Sequence, residues 1–297
     1  MSELRTLLYR RLPSPLHAAR AGVGACWALA LTSAALLLYH PLALAALTLA
    51  ILGAAAGAGV GREAGRALRI AVLVALPIVL VNVLVSRQGL TVFARVGSLG
   101  PFGEGDLTVE ALVYGAVIAL KVTILILVST LASLAVDPDE LLRMFRRLSF
   151  RSALTASLAT RMVPVLQADA LRLAEAQRTR PDGGARGARG RVALLAAIVS
   201  GSLDRALDVA ATLETRGFAT AQRAPRLARA WSRHDVAFAA GAVCVLVMAL
   251  AGRAGDLAAF SAYPLLDMHV SAGTLGLCAG LIAVVLAPFA DRRGVDS

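Results

Sequence analysis

Long apolar runs, separated by arginines and prolines, dominate the hydrophobic pattern of this chain. Six runs can cross the roughly 30 Å hydrocarbon core of a bilayer at about 1.5 Å per residue. They cover residues 21–39, 41–61, 70–86, 109–135, 235–252 and 271–289. Between these runs, residues 136–234 have apolar positions every three or four residues, which is typical of helices with one face in water. The pattern therefore predicts an all-α integral membrane protein with about six transmembrane helices plus a domain of long amphipathic helices.

The predicted domain order has three parts. Residues 1–135 hold the first four spans, 136–234 form the amphipathic domain, and 235–297 hold the last two spans and a tail. Asp137, Pro138 and Glu140 open the middle part as a capping aspartate, a proline at the first helical position and a glutamate three residues after the cap. A short helix should end near Leu148, and a second helix should end before Pro181. A third helix should cover residues 191–216, and Gly217 is placed to terminate it.

The arginines predict how the chain is oriented. Of 30 basic residues only one is a lysine. Four arginines precede the first span, three lie in the 62–69 loop and two in the tail, whereas the other side has only Arg87, Arg95 and Arg253. Because cytoplasmic loops carry the Lys/Arg excess, both termini and the amphipathic domain, with 17 arginines and nine acidic residues, are predicted to be cytoplasmic. The alanine- and arginine-rich composition indicates a GC-rich bacterial source, and we expect the chain in the bacterial cytoplasmic (inner) membrane.

Catalytic and metal-binding motifs are absent from the sequence. A P-loop needs a lysine after its last glycine, and the single lysine, Lys121, has no adjacent glycine. The histidines are scattered, the cysteines lie far apart in apolar runs, and no acidic pair lies within a span. The glycine- and arginine-rich stretch 183–190 lacks the aromatic residues that stack on bases and is predicted to be a loop. We therefore expect no enzyme activity, no metal, no cofactor of its own and no nucleic-acid partner.

Two features within the spans predict packing. Glycines recur every four residues and should give the second span a smooth face for a neighbouring helix: Gly53, Gly57, Gly61 and Gly65. Lys121 lies near the middle of the fourth span, where a charge is costly. A structural partner for Lys121 is favoured, either a carbonyl or a polar side chain such as that of Asn82. A transport or proton-relay role is the alternative.

Similar phrases end two helices of the amphipathic domain. They are Thr179-Arg180-Pro181 and Thr215-Arg216-Gly217. An arginine at a helix C-terminus interacts favourably with the last carbonyls. Its planar guanidinium also holds a carboxylate through two parallel hydrogen bonds. Two such ends on neighbouring helices predict two equivalent sockets on a paired partner.

The order of several motifs resembles the transmembrane T-component (EcfT, CbiQ-like) of energy-coupling factor (ECF) ABC importers. The motifs are Ser14-Pro15-Leu16-His17, Asp137-Pro138-Asp139-Glu140-Leu141-Leu142, Arg161-Met162-Val163-Pro164, Ala176-Gln177 leading to Arg180, and Leu213-Glu214-Thr215-Arg216-Gly217-Phe218. The resemblance covers most of the chain: the first motif lies near the start, and the others follow the fourth span and precede the last two.

The resemblance implies a non-catalytic scaffold subunit for uptake of a vitamin or a transition-metal ion. In that family, two cytoplasmic coupling helices end in motifs with a central arginine that insert into two ABC-type ATPases, which bind ATP and Mg. The helices also contact a membrane S-component that binds the substrate. By resemblance Arg216 is one coupling arginine and Arg180 the other, with Arg178 as the alternative because Pro181 departs from the usual glycine or serine. The further candidate contacts are Arg161, Asp137, Glu140, Leu141 and Leu142.

A stand-alone secondary transporter is the alternative function. Such a protein would need a binding site near the middle of the membrane, usually formed by broken helices in related repeats. Lys121 is the only feature in its favour.

Overall fold

The computed structural model describes residues 12–86, 91–98, 104–145, 150–179, 188–215, 217, 230–255, 258, 260–262, 266–268 and 270–291. In chain order the described elements are α1 (Pro15–Ala18), α2 (Ala21–Leu37), α3 (Pro41–Gly57), α4 (Gly61–Val85), β1 (Val92–Ser98), β2 (Glu104–Thr108), α5 (Val109–Ala135), α6 (Pro138–Phe145), α7 (Phe150–Arg178), α8 (Ala188–Thr215), α9 (Arg233–Ala254), β3 (Phe260–Ser261), β4 (Asp267–Met268) and α10 (Ala272–Ala290).

Each of the six predicted apolar runs forms a helix, and the prediction of an all-α membrane protein is confirmed. Within the described residues, α4, α5, α9 and α10 are long and apolar enough to cross a membrane. The other two apolar helices, α2 and α3, have 17 residues each. At about 1.5 Å per residue they measure roughly 25 Å, the short end of the range for a membrane span.

The predicted boundary between the second and third spans is wrong. α3 ends at Gly57 rather than near residue 61, and the turn that follows has Gly59 at a φ of +78°, which a residue with a side chain rarely adopts. α4 begins at Gly61, so the arginines of the supposed 62–69 loop lie on the first turns of a helix. Arginine is a good helix former, and Arg62, Arg66 and Arg69 share one exposed side of α4.

A short β-hairpin lies between α4 and α5, where the sequence pattern suggested only a loop. β1 and β2 pair antiparallel, with Val92 opposite Thr108 and Arg95 opposite Asp106, and the register shifts twice along the ladder. Glu110, in the first turn of α5, is fully buried and accepts hydrogen bonds from the Thr91 amide at 3.1 and 3.3 Å. This contact holds the start of β1 against the start of α5. A second, two-residue ladder joins β3 and β4.

The chain divides into two compact units. The first comprises Met1–Leu141 and Trp231–Ser297, and the second comprises Leu142–Ala230. Three aromatic rings at steep angles lie in the core of the first unit: Trp27 of α2, Phe238 of α9 and Phe289 of α10, with centroids 5.3 to 6.0 Å apart. Edge-to-face pairs of this kind add to the stability gained from burial alone. α2, α9 and α10 therefore share one core.

Carboxylates from distant parts of the sequence cap the start of α2. Arg20 precedes α2 without a capping side chain of its own. Its amide donates to Asp235 Oδ1 at 2.7 Å, and its Nε lies 3.4 Å from Asp235 Oδ2. The next amide, that of Ala21, donates to Glu140 Oε2 at 3.3 Å. Two of the N–H groups that every helix start leaves without an intrahelical partner are thereby satisfied. We call this end of the helix bundle the capped end. We call the opposite end, where α2 and α9 finish, the far end.

The amphipathic part of the chain begins as predicted. α6 starts at Pro138, and the Asp139 amide donates to Asp137 Oδ1 at 2.9 Å, which confirms the aspartate cap. α8 starts at Ala188, so the end of the predicted 183–190 loop is helical, and residues 183–187 lie outside the described part of the chain. α8 ends at Thr215, and Gly217 has the positive φ of +67° expected of a terminating glycine.

Candidate functional site

The two long helices of the second unit contact each other through an ion pair. Arg205 Nη1 of α8 lies 3.0 Å from Asp169 Oδ2 of α7, and both side chains are partly buried. Asp169 stands nine residues before Arg178, the end of α7, and Arg205 stands ten residues before Thr215, the end of α8. At about 1.5 Å per residue, both helix ends therefore lie roughly 14 to 15 Å along their helices from this ion pair.

The final turns of α7 and α8 have the same local hydrogen bond. Thr179 Oγ1 donates to the Ala176 carbonyl at 3.1 Å, and Thr215 Oγ1 donates to the Thr212 carbonyl at 3.0 Å. Both threonines are exposed. Each hydroxyl satisfies one of the carbonyls that a helix end leaves without an intrahelical partner. The similarity of the two sequence phrases thus extends to the structure of the two helix ends.

Some of the predicted site residues lie outside the described part of the chain. These are Arg180, Pro181 and Arg216. Arg178 ends α7 and Leu142 belongs to α6, but their side chains are also outside the described set. Arginine contacts with a partner therefore stay predictions from the sequence. Gly217 places its amide 2.9 Å from the Glu214 carbonyl, which turns the chain at the end of α8.

The remaining candidate contacts have different surroundings. Arg161 is exposed on α7 and Leu141 is half-buried in α6. Asp137 and Glu140 both have partners within the chain, because Asp137 caps α6 and Glu140 caps α2. Glu140 accepts from the Ala21 amide 119 residues away, a contact that no local pattern indicated.

An exposed apolar stripe runs along α8. Five large residues on one side of this helix each expose 60 to 65% of their surface: Val192, Leu195, Val199, Leu203 and Leu207. Their spacing of three or four residues places them on a single face. The sequence pattern predicted amphipathic helices in this part of the chain, but not that the described residues leave one apolar side of α8 exposed. A run of exposed apolar side chains of this kind marks an interaction surface.

The glycine series divides between two helices. Gly53 and Gly57 lie on α3, where an added Cβ would come within 2.9 Å of Leu286 and Phe289 of α10. Gly61 and Gly65 belong to α4 rather than to the second span, and a Cβ at Gly65 would meet nothing within 4 Å. The close approach to a neighbouring helix is therefore a property of the first two glycines. The sequence did not single out Gly115 of α5, where an added Cβ would come within 3.2 Å of the Val79 backbone of α4.

Lys121 contacts a carbonyl, one of the two kinds of partner expected for it. Its Nζ donates to the Leu36 carbonyl of α2 at 3.1 Å and lies 3.4 Å from the centroid of the Tyr39 ring. The described contacts of Lys121 do not include Asn82, whose side-chain NH2 donates to the Ile78 carbonyl within α4. The described residues contain no group of three or more His, Cys, Asp or Glu side chains that could hold a metal ion.

Comparison with known proteins places these features in a family. The family model described as CbiQ, cobalt transport protein, matches residues 13–227, from α1 to beyond the end of α8. The chain is also 30% identical over 160 residues to the energy-coupling factor transporter transmembrane protein EcfT of Leuconostoc gelidum subsp. gasicomitatum, covering 48% of this chain and 59% of the relative. It is 29% identical over 151 residues to the EcfT protein of Lactobacillus helveticus, covering 46% of this chain and 53% of the relative.

The chain thus spans a little more than half the length of the curated relatives that it matches. The family model covers almost three quarters of the chain, including both helix ends with their paired threonines. This integral membrane chain belongs to the CbiQ family of cobalt transport proteins.

Proposed function

We propose that this chain is the transmembrane scaffold subunit of an ECF-type ABC importer. In this role it links two cytoplasmic ABC ATPases, which bind ATP and Mg, to a membrane S-component that binds a vitamin or a transition-metal ion. Membership of the CbiQ family and the names of the two relatives support the transporter class. The ATPases, the S-component and the substrate are the parts of this proposal that go beyond the family.

The uncovered apolar stripe of α8 is the observation that carries the proposal. Exposed valine and leucine side chains on a helix outside the apolar spans are unfavourable in water, at about 25 cal/mol per Å² of apolar surface. A partner that covers the stripe recovers this free energy. The two matching helix ends lie at similar distances from the Asp169–Arg205 ion pair, so they offer two equivalent contacts to a pair of similar proteins.

As a mechanism, ATP binding would close the ATPase pair and move the two helix ends relative to each other. The helices would pass this movement to the S-component through the apolar stripe. The chain itself needs only to hold the ATPases and the S-component together and to transmit the movement between them. The alternative, a stand-alone transporter, rests only on Lys121, whose described contacts are with the Leu36 carbonyl and the Tyr39 ring.

Co-purification of the tagged chain from its native membranes tests the stripe. Wild type should retain two ABC ATPase chains and a small hydrophobic protein. The double variant Leu195→Gln, Leu203→Gln should bind them roughly 100-fold more weakly, since burying two leucine side chains is worth about 3 kcal/mol. The matched control is Ala197→Gln, an exposed residue on the opposite side of α8. Equal recovery of partners with all three chains, or no ATPase with wild type, would contradict the proposal.

Charge reversal tests the helix-end arginines separately. Arg216→Glu should abolish uptake and weaken ATPase binding by more than about 1 kcal/mol, the upper value for an exposed pair, because a socket that encloses the guanidinium strengthens its pairing. Comparing Arg180→Glu with Arg178→Glu identifies which arginine acts at the end of α7. Arg62→Glu, at an exposed position on α4, is the control and should transport normally. Normal uptake by Arg216→Glu would show that this residue is not a coupling arginine.

A further inference from the structure

Two cations share one aromatic ring at the far end of the bundle. Lys121 Nζ lies 3.4 Å from the centroid of the Tyr39 ring, and Arg253 Cζ lies 5.6 Å from the same centroid. Lys121 and Arg253 are close enough for their charges to repel each other. The π-face of Tyr39 offsets part of this repulsion, because a ring face attracts cations. An anion bound between the two side chains would offset the rest.

Helix lengths place this cluster well away from the capped end. Arg20 contacts Asp235, so α2 and α9 begin together. Leu36 then stands about 23 Å along α2, and Arg253 about 30 Å along α9. Side chains on a helix point towards its N-terminus, so Lys121 extends along α5 towards the far end. A long basic side chain in a span characteristically reaches towards the membrane surface in this way.

The described residues provide no negative charge for the cluster. Neither Lys121 nor Arg253 forms an ion pair with a described carboxylate, whereas Arg20, Arg205 and Arg233 each do. An ammonium has three N–H donors, and the described contacts of Lys121 are one carbonyl and one ring face. Donor capacity and positive charge therefore remain available at the same place.

The surroundings of the two cations match a lipid. Arg253 is exposed and Tyr39 exposes 42% of its surface, so the cluster is accessible from outside the bundle. Exposed leucines on the same two helices, Leu36 on α2 and Leu250 on α9, supply apolar surface beside it. A tyrosine at the level of the lipid headgroups is typical of membrane helices. We propose that Lys121 and Arg253 bind the phosphate of an anionic lipid headgroup, with its acyl chains lying along the exposed leucines.

Native mass spectrometry of the full chain in detergent, titrated with phosphatidylglycerol or phosphatidylcholine, tests this site. Wild type should prefer phosphatidylglycerol. The double variant Lys121→Gln, Arg253→Gln should lose roughly 30-fold of that preference, about fivefold for each cation. The double variant Arg62→Gln, Arg66→Gln removes two exposed positive charges on α4 and is the matched control, which should keep the preference. An equal preference in wild type and the Lys121/Arg253 variant would overturn the proposal.

Two further arms cover folding and the source of the phosphate. Arg253 is exposed, so Arg253→Gln alone should fold normally and lose about fivefold of the preference even if the double variant does not fold. Unchanged lipid preference in this single variant would also overturn the proposal. Inorganic phosphate at millimolar concentration should fail to displace the bound phosphatidylglycerol, because it lacks the acyl chains. Displacement by inorganic phosphate would identify a general anion site instead of a lipid site.

Discussion

At the scale of single residues, Asp235 is a buried carboxylate that joins the start of α9 to the start of α2. It is fully buried, accepts hydrogen bonds from the Arg20 and Ser232 amides, and pairs with the Arg20 guanidinium. Replacing Asp235 by alanine removes all three contacts at once. The two amides and the half-buried Arg20 guanidinium then lack the carboxylate. We expect Asp235→Ala to lower the free energy of unfolding by about 3 kcal/mol, measured by SDS titration in mixed micelles.

Two variants calibrate this prediction. Glu140→Gln weakens a single contact at 3.3 Å, and it should cost about 1 kcal/mol. Asp291→Asn disturbs a pair with Arg233 in which both side chains are largely exposed, and its effect should stay below about 0.5 kcal/mol. A loss in Asp235→Ala no larger than that in Asp291→Asn would mean that the start of α2 does not depend on its distant cap.

Single residues also illustrate how far the sequence could predict the contacts. Asp137 was identified as a helix cap because its partner, the Asp139 amide, is two residues away. The Arg20–Asp235 contact joins residues 215 positions apart, so only the folded chain brings them together. Lys121 is an intermediate case. The cost of a charge in a span predicted a carbonyl or polar partner, but choosing the Leu36 carbonyl required the positions of α2 and α5.

At the scale of helices, the two halves of the glycine series should respond differently to the same substitution. Gly57→Ala places a Cβ 2.9 Å from the Phe289 ring and should destabilise the packing of α3 on α10 by about 1 to 3 kcal/mol. Gly65→Ala meets nothing within 4 Å and should be neutral or stabilising by up to about 1 kcal/mol, because alanine favours the helix. Thermal melting in detergent measures both. A lower melting temperature for Gly65→Ala than for Gly57→Ala would contradict this packing.

The helix boundaries follow the same division between local and distant causes. α5 runs over residues 109–135 as predicted, because its apolar run is a local signal, and the Thr108 side chain caps its start by accepting from the Ala111 amide. The end of α3 was misplaced because Gly59 takes a left-handed turn inside a run whose composition is uniformly small and apolar. The β1–β2 hairpin was missed because its irregular register depends on pairing between strands rather than on an alternation within either one.

At the scale of the whole molecule, the two units differ in what covers their apolar surface. In the first unit, exposed leucines and valines on α4, α9 and α10 lie on helices apolar and long enough to face lipid. In the second unit, α8 is not among the membrane-spanning candidates of the described residues, and a protein partner is the cover that we propose for its exposed stripe. Hydropathy predicted which helices enter the membrane, but the uncovered stripe became apparent only once the contacts of α8 were known.

The sequence also predicts the orientation of the molecule in the membrane, which an experiment can check. Nine arginines flank the spans on the side of the termini against three on the other side, and the predicted amphipathic domain, residues 136–234, adds 17 arginines with nine acidic residues. The side with the excess of flanking arginines is expected to face the cytoplasm, so the second unit, which follows the fourth span on that side, should be cytoplasmic as well. Thr215, at the end of α8, and Met268, between α9 and α10, are both exposed.

In a cysteine-free background, Met268→Cys should therefore react with a membrane-impermeant maleimide in intact cells. Thr215→Cys should react only after the cells are permeabilised, because the end of α8 is expected on the cytoplasmic side. Labelling both variants in detergent is the control for accessibility, since each site is exposed. The reverse pattern in intact cells would place the ends of α7 and α8 outside the cell, where no ATP-driven partner could reach them, and would rule out the proposed coupling role.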